Sequence, residues 1–246
     1  MSLPFFVYAD AAALTAGHEV RLEGDEGRHA VVVRRLRVGE QLVLTDGAGA
    51  IATCRVSAVD KSSLTALVEK AGVSPAEEPR VTVVQAIPKG DRAELAVEVL
   101  TEVGADVIVP WAADRCVSRW RGDRADKHLA KWRATAREAA KQARRPRFPE
   151  VTGLASTADV VGLLEQCSVP VVLHEEASGP IGNLPIPGRG TIVVVVGPEG
   201  GITPAELAAF SAVGAEPVRL GSSVLRTSTA GVAAVAALLA RTRRWG

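Results

Sequence analysis

Hydrophobic and polar positions follow two different rhythms along the chain. Up to about residue 73 they alternate over short stretches. Glu19 to Leu22, Gln41 to Leu44, Ile51 to Val59 and Ser63 to Glu69 each read as a strand. Asp46-Gly47-Ala48-Gly49 separates two of them as a hairpin turn would. Several short strands with turn signals predict a small β-barrel. Gly72 to Pro79 is a polar, proline-bounded linker, which places a domain boundary between residues 1–73 and 74–246.

Beyond the linker, apolar runs alternate with helical patterns. Arg80 to Ile87, Val107 to Val109, Val169 to Leu173, Ile192 to Val196 and Pro217 to Leu220 read as strands. Ile192 to Val196 is five β-branched residues in a row, which suits a strand buried on both faces of a parallel sheet. Asp91 and Glu94 form a capping-box pattern ahead of a helix from about Arg92 to Val103, closed by Gly104. Leu95, Val99 and Val103, at i, i+4 and i+8, mark its expected buried side. Asp126 to Ala143 is helical in pattern, with Leu129, Trp132, Ala136 and Ala140 on one side, and Pro146 is expected to stop it. Thr203, Pro204 and Glu206 are the N-cap, first position and capping-box partner of a further helix ending near Gly214. Gly221 to Ala230 reads as a polar loop before a very apolar helix, Gly231 to Arg241, whose basic tail suits a helix C-terminus. The second domain is therefore expected to be α/β with a mostly parallel sheet.

Charge changes this picture in one place. The whole chain carries a net charge of +1, but residues 114–147 hold twelve Lys/Arg against four Asp/Glu. One basic segment in a neutral chain points to an anionic partner met locally, or to packing against an acidic surface. Arg28, Arg34, Arg35 and Arg37 crowd a second short segment, a phosphate-contacting surface or an ordinary solvated face. Cys54, Cys116 and Cys167 lie far apart and the four histidines are scattered, so neither a metal site nor a disulfide framework is expected. The opening MSLPFFVYAD lacks the pattern of a signal peptide, and no apolar stretch is long enough to span a bilayer, which makes the cytoplasm the expected location.

The candidate chemistry gathers around Thr191 to Glu206, TIVVVVGPEGGITPAE: strand, glycine turn, helix. In α/β proteins ligands bind at the carboxyl ends of the strands. A tight connection with no ligand is the plainer alternative. GxGxxG, GxxxxGK[ST] and GxSxG are all absent. Three strand ends lead into glycine-rich or polar loops: Leu173-His174, Val196-Gly197 and Leu220-Gly221. If those strands are neighbours, their loops converge on one pocket.

GPEGG followed by a capped helix, and then LGSSVLRTSTA ahead of an apolar helix, resembles the SPOUT class of RNA methyltransferases. Within that class the chain is most similar to the bacterial enzymes that methylate N3 of a uridine in 16S ribosomal RNA. Lys89-Gly90-Asp91-Arg92, Asp114-Arg115-Cys116, Ala139 to Arg147, Arg28-His29 to Arg34 and Gly39-Glu40 also fit, so the resemblance covers nearly the whole chain. It implies a PUA-like N-terminal barrel for RNA binding and a SPOUT domain with a deep trefoil knot. It also implies S-adenosylmethionine as methyl donor, a homodimer, and 16S ribosomal RNA of the small subunit as partner. By position, Leu173, His174, Gly197, Glu199, Gly200, Gly201, Leu220, Gly221, Val224, Leu225 and Arg226 would surround the cofactor. Arg226 would be catalytic, stabilising the uridine anion. Arg28, Arg34, Arg35, Lys89, Arg92, Arg115, Lys141, Arg144 and Arg145 would contact RNA. The family pattern has a glutamate where this chain has Ser228, which leaves any base at that position in doubt. Two alternatives stay open: a SPOUT enzyme with another RNA target, or a non-enzymatic RNA-binding or ribosome-assembly protein.

Overall fold

A computed structural model describes residues 3–90 and 92–246. Asp91, the expected capping partner of Glu94, lies outside the described residues. The chain divides into two units: the residues up to Ala76 together with Ala140–Phe148, and Glu77–Ala139 together with Pro149–Gly246.

The first unit holds β1 (Phe5–Val7), β2 (Glu19–Leu22), α1 (Gly24–Arg28), β3 (Gln41–Thr45), β4 (Ala50–Val59) and β5 (Leu64–Val73). They form a five-stranded sheet in the order β1-β3-β4-β5-β2, antiparallel except for β1 on β3, and curled into a half-barrel. Phe6, Leu42, Leu44, Val56 and Leu64 fill its core. Alternation in β2 is clean, with Val20 and Leu22 buried and Glu19 and Arg21 exposed, as a half-buried strand requires. After β2, α1 continues into a π turn over His29–Val33, so Arg28 is helical, while Arg34, Arg35 and Arg37 follow in an irregular stretch. β5 also runs on through Gly72 and Val73, residues expected to be linker, because they pair with Ile51 and Ala50 of β4.

Residues 140–148 join this unit from far along the chain. Phe148 N–H donates to Gly47 O at 2.8 Å, Thr45 Oγ1 to Pro146 O at 3.2 Å and Arg147 Nε to Ser74 O at 3.0 Å. Such pairing between residues about a hundred positions apart leaves no local pattern to read.

The second unit holds, in order, β6 (Arg80–Ala86), α2 (Arg92–Val103), β7 (Val107–Trp111), α3 (Asp123–Gln142, whose last turn belongs to the first unit), β8 (Glu150–Val151), α4 (Thr157–Gln166), β9 (Val169–Leu173), β10 (Gly179–Pro180), β11 (Thr191–Val196), α5 (Pro204–Ala212), β12 (Glu216–Arg219) and α6 (Thr227–Leu239). Its sheet runs β10-β12-β9-β11-β6-β7-β8, parallel throughout. The continuous apolar run of β11 lies between β9 and β6 with Ile192 to Val196 all buried. Among the described residues no helix is long and apolar enough to cross a membrane.

Three helices depart from expectation. In α2 the buried side is Ala93, Ala96, Val97, Leu100, Thr101 and Val103, while Leu95 is 42% exposed. A helix rich in Ala and Val satisfies the i, i+4 rule along more than one stripe, and the packing partner decides which is used. Here that partner includes α6, where a Cβ on Gly231 would lie 3.0 Å from Leu100 Cδ2. α3 begins at Asp123, three residues before the expected Asp126, and ends within one residue of the expected Ala143. Arg144 takes a left-handed conformation (φ 56°), Arg145 N–H donates to Ala140 O at 2.9 Å and Arg144 N–H to Lys141 O at 3.1 Å, a Schellman cap built on arginine. α6 begins at Thr227, four residues early. Arg226 is its N-cap, and its carbonyl accepts from Thr229 N–H and Ala230 N–H, both at 2.9 Å.

Candidate functional site

β12, β9, β11 and β6 are consecutive parallel neighbours, so their carboxyl ends share one edge of the sheet. The loops after β9, β11 and β12 meet there around a cavity of about 650 Å³. That volume falls inside the range of roughly 300–1,000 Å³ typical of small-molecule sites. All eleven residues expected around a cofactor line it, from Leu173 and His174 through Gly197, Glu199, Gly200 and Gly201 to Leu220, Gly221, Val224, Leu225 and Arg226. Arg115, Glu175, Glu176 and Thr227, which the cofactor reading did not include, line it as well. Ser228 does not line it; it is buried in the first turn of α6, only 3% exposed.

The glycines of the β11–α5 turn are needed chiefly for contacts within the protein. A Cβ on Gly197 would fall 2.7 Å from Ile202 Cγ1, and one on Gly200 would fall 3.0 Å from Arg115 Cβ. Gly201 has φ +75°. Gly221 is different: a Cβ there would meet nothing within 4 Å, so open space borders its backbone. Glycines and apolar residues of the wall stand beside charged side chains of both signs, Arg115, Arg219 and Arg226 with Glu175, Glu176 and Glu199, which suits a ligand carrying mixed charges.

The turn is held by its own carboxylates. The capping box at Thr203 is present in full: Thr203 Oγ1 accepts from Glu206 N–H at 3.2 Å, and Glu206 Oε2 accepts from Thr203 N–H and from Thr203 Oγ1, each at 2.8 Å. Glu206 does more than cap. It is 2% exposed, and its Oε1 accepts from Asp114 N–H at 2.9 Å, tying the loop after β7 to α5. That tie seats Arg115, whose Nη1 donates to Gly200 O at 3.2 Å. Glu199 accepts from Lys89 N–H at 3.2 Å, joining the loop after β6 to the same turn. Replacing Glu206 by Ala is expected to cost about 2–3 kcal/mol, since it removes the cap of α5 and leaves the part-buried Thr203 and Asp114 amides without this acceptor. Urea unfolding of the variant checks this, and a loss below about 0.5 kcal/mol would contradict it.

The expected RNA-contacting residues fall into two sets. Arg28, Arg34, Arg35, Lys141, Arg144 and Arg145 belong to the first unit, and Lys89, Arg92 and Arg115 to the second. Arg34 and Arg144 line a small cleft with His29, Phe5 and Phe6. Arg28, Arg34, Arg35 and Arg144 are exposed, and so are Lys89, Arg92 and Arg115. Lys141 is not displayed as a surface cation: its side chain is 5% exposed and its Nζ lies 2.7 Å from Glu26 Oε1. The charge run alone carries no sign of that buried pairing.

Burial raises the thiols of Cys116 and Cys167, and burial together with the nearby Glu69 carboxylate pushes Cys54 up to about 11, which keeps all three protonated and poorly nucleophilic at neutral pH. Among the described residues no three His, Cys, Asp or Glu side chains are grouped to hold a metal ion.

This architecture is that of an RNA methyltransferase: the family model for an RNA methyltransferase domain matches residues 76–239, and that for an RNA methyltransferase PUA domain matches residues 22–69. Over 228 residues the chain is 49% identical to ribosomal RNA small subunit methyltransferase E of Mycobacterium bovis, spanning 91% of this chain and 87% of the relative. The chain belongs to the ribosomal RNA small subunit methyltransferase E family. Two solved structures share its fold. A methyltransferase from Legionella pneumophila, in complex with the bound cofactor SAM, superimposes with a TM-score of 0.86 at 26% identity, covering 98% of this chain and 99% of the other. A ribosomal RNA small subunit methyltransferase E from Neisseria gonorrhoeae bound to S-adenosyl methionine gives 0.84 at 29% identity, covering 97% of each chain.

Proposed function

We propose that this protein methylates N3 of a uridine in the 16S ribosomal RNA of the small subunit, with S-adenosylmethionine as methyl donor. The observation that carries the reading is the single cavity where the loops after β9, β11 and β12 meet, in a chain 49% identical to a small subunit methyltransferase. The cavity fits the donor: the open backbone at Gly221 and the loop amides and carbonyls suit an adenosine edge, and the rim carboxylates Glu175, Glu176 and Glu199 suit a cationic ligand.

When bound, S-adenosylmethionine supplies an electrophilic methyl group on a sulfonium. The rest falls to the chain. N3 of uridine carries a proton and lies on the base-pairing edge, so the target base must be unpaired or flipped out and must give up that proton, which solvent takes up. The Arg226 guanidinium, at the cavity wall, stabilises the anionic base as the proton leaves. Ser228, buried outside the cavity wall, supplies no base, which supports a structural role for whatever occupies that position. Arg28, Arg34, Arg35 and Arg144 of the first unit, and Lys89, Arg92 and Arg115 of the second, grip phosphates around the target. Lys141 and Arg145 shape that surface from within the first unit.

The same reading assigns residues 1–73 to a PUA-like RNA-binding domain and 74–246 to a SPOUT domain whose C-terminal part threads a trefoil knot. It places the protein in the cytoplasm as a homodimer. The apolar Val224 and Leu225, left 75% and 41% exposed beside the cavity, support a protein partner there.

Small ribosomal subunits lacking the modification, incubated with the protein and labelled S-adenosylmethionine, should yield labelled N3-methyluridine. Folded protein that binds the donor and forms no such product would overturn the target assignment; folded protein that does not bind the donor would overturn the enzymatic reading.

A further inference from the structure

Gln85 is a fully buried amide on β6, at the centre of the sheet, directly opposite Val196 of β11 and Pro110 of β7. Its Nε2 donates to Ala86 O at 3.0 Å and, across 142 positions of sequence, to Thr227 O at 3.2 Å. Both contacts are carbonyl acceptors, so the amide cannot be turned over without placing oxygen against oxygen. Its Oε1 has no hydrogen-bond partner among the described residues and faces α6, where a Cβ on Gly231 would lie 3.5 Å away.

An unpaired buried carbonyl oxygen is destabilising, because the hydration it loses on burial is not replaced. A methionine or leucine at this position would carry no such cost. The amide is therefore poorly explained as a stabilising core residue. What it does supply is a tether: it ties the carbonyl of Thr227, in the first turn of α6, to a buried strand paired on both sides. The preceding residue is Arg226, the N-cap of α6, and Arg226 and Thr227 both line the cavity.

We infer that Gln85 is a positioning residue for methyl transfer, setting the start of α6 and through it the place of Arg226. This rests on the methyltransferase reading given above. Group transfer is steep in position: an error of about 1 Å can cost on the order of 100-fold in rate. Glycine at 231 fits the same device, because it lets α6 come close enough for the amide to reach Thr227.

The test uses Gln85→Met in the full-length protein. The unfolding midpoint in urea should be unchanged or raised. In the cofactor-free protein the amides of Thr229 and Ala230, which both donate to Arg226 O, should exchange with deuterium roughly tenfold faster. Turnover on undermodified small subunits should fall about 10- to 100-fold while affinity for S-adenosylmethionine stays within about threefold. Added to Arg226→Ala, the substitution should cost little more, because both act through the same guanidinium. Turnover within about twofold of wild type, or unchanged exchange at Thr229 and Ala230, would overturn the inference. So would a Gln85→Met protein that fails to fold or loses stability, since Gln85 would then be a core residue only. Wild-type protein inactive in the same assay would overturn the methyltransferase reading itself, a result distinct from an active wild type with an indifferent variant.

Discussion

Replacing Arg244 by methionine should destabilise the protein by about 3–5 kcal/mol, the usual cost of removing one partner from a buried ion pair. The Arg244 side chain is only 3% exposed, although it lies five residues beyond the end of α6. Its Nη1 lies 2.7 Å from Asp106 Oδ2 and donates to Pro79 O at 3.0 Å; its Nη2 donates to Gly104 O at 2.8 Å and lies 2.7 Å from Glu77 Oε2. One guanidinium thus fastens the chain's last residues to the segment entering β6 and to the turn between α2 and β7. Methionine keeps much of the volume but leaves the Gly104 carbonyl without this donor and Asp106 without its arginine. Glu77 is 60% exposed and adds little, since water screens it. The urea midpoint should fall with an unchanged slope. Arg244→Lys should recover only part of the loss, because an ammonium is a point charge and cannot span four acceptors in a planar fork. A methionine variant within about 0.5 kcal/mol of wild type would show that these contacts contribute nothing net.

Arg226→Ala should lower turnover on undermodified small subunits by about 100- to 1,000-fold, the range seen when one donor facing a developing anion is removed. Donor binding should be nearly unaffected, because Arg226 is one of many residues lining the cavity and the others stay in place. Calorimetry with S-adenosylmethionine and single-turnover kinetics separate the two effects. Unchanged turnover with normal donor binding would remove Arg226 from the chemistry and leave it as the N-cap of α6. The side chain is well placed for the larger effect: it stands at the cavity rim, exposed, with its backbone anchored by Thr229 and Ala230.

Much of the site could be read where it is local. Thr203, Pro204 and Glu206 announced the start of α5, because a capping box needs only four consecutive residues. Ile192 to Val196 announced a central strand, because burial on both faces leaves no polar position in the run. Leu95 misled because composition alone does not say which stripe of an Ala- and Val-rich helix meets its neighbour. The early start of α6 was obscured by Thr227, Ser228 and Thr229, polar residues that read as loop until Thr227 and Ser228 are seen to be buried. α4 offered Ser156 and Asp159 as a cap, a signal present in the chain that could have placed it.

The sequence by itself determined much of the punctuation of this protein: where the longer strands run, though not the short β1, β8 and β10, where α5 begins, and which three loops carry glycine and polar residues. Backbone propensity, capping and periodicity act over a few residues, so they are written locally. Only the tertiary structure decided the order β12-β9-β11-β6 that makes those loops converge, the double duty of Glu206 and the union of residues 140–148 with the first unit. It alone also decided the burial of Lys141 and Arg244 and the reach of Gln85 to Thr227. The physical reason is common to all of these. A buried charge or amide is tolerated only where a partner is brought to it by packing, and that partner can lie more than a hundred residues away.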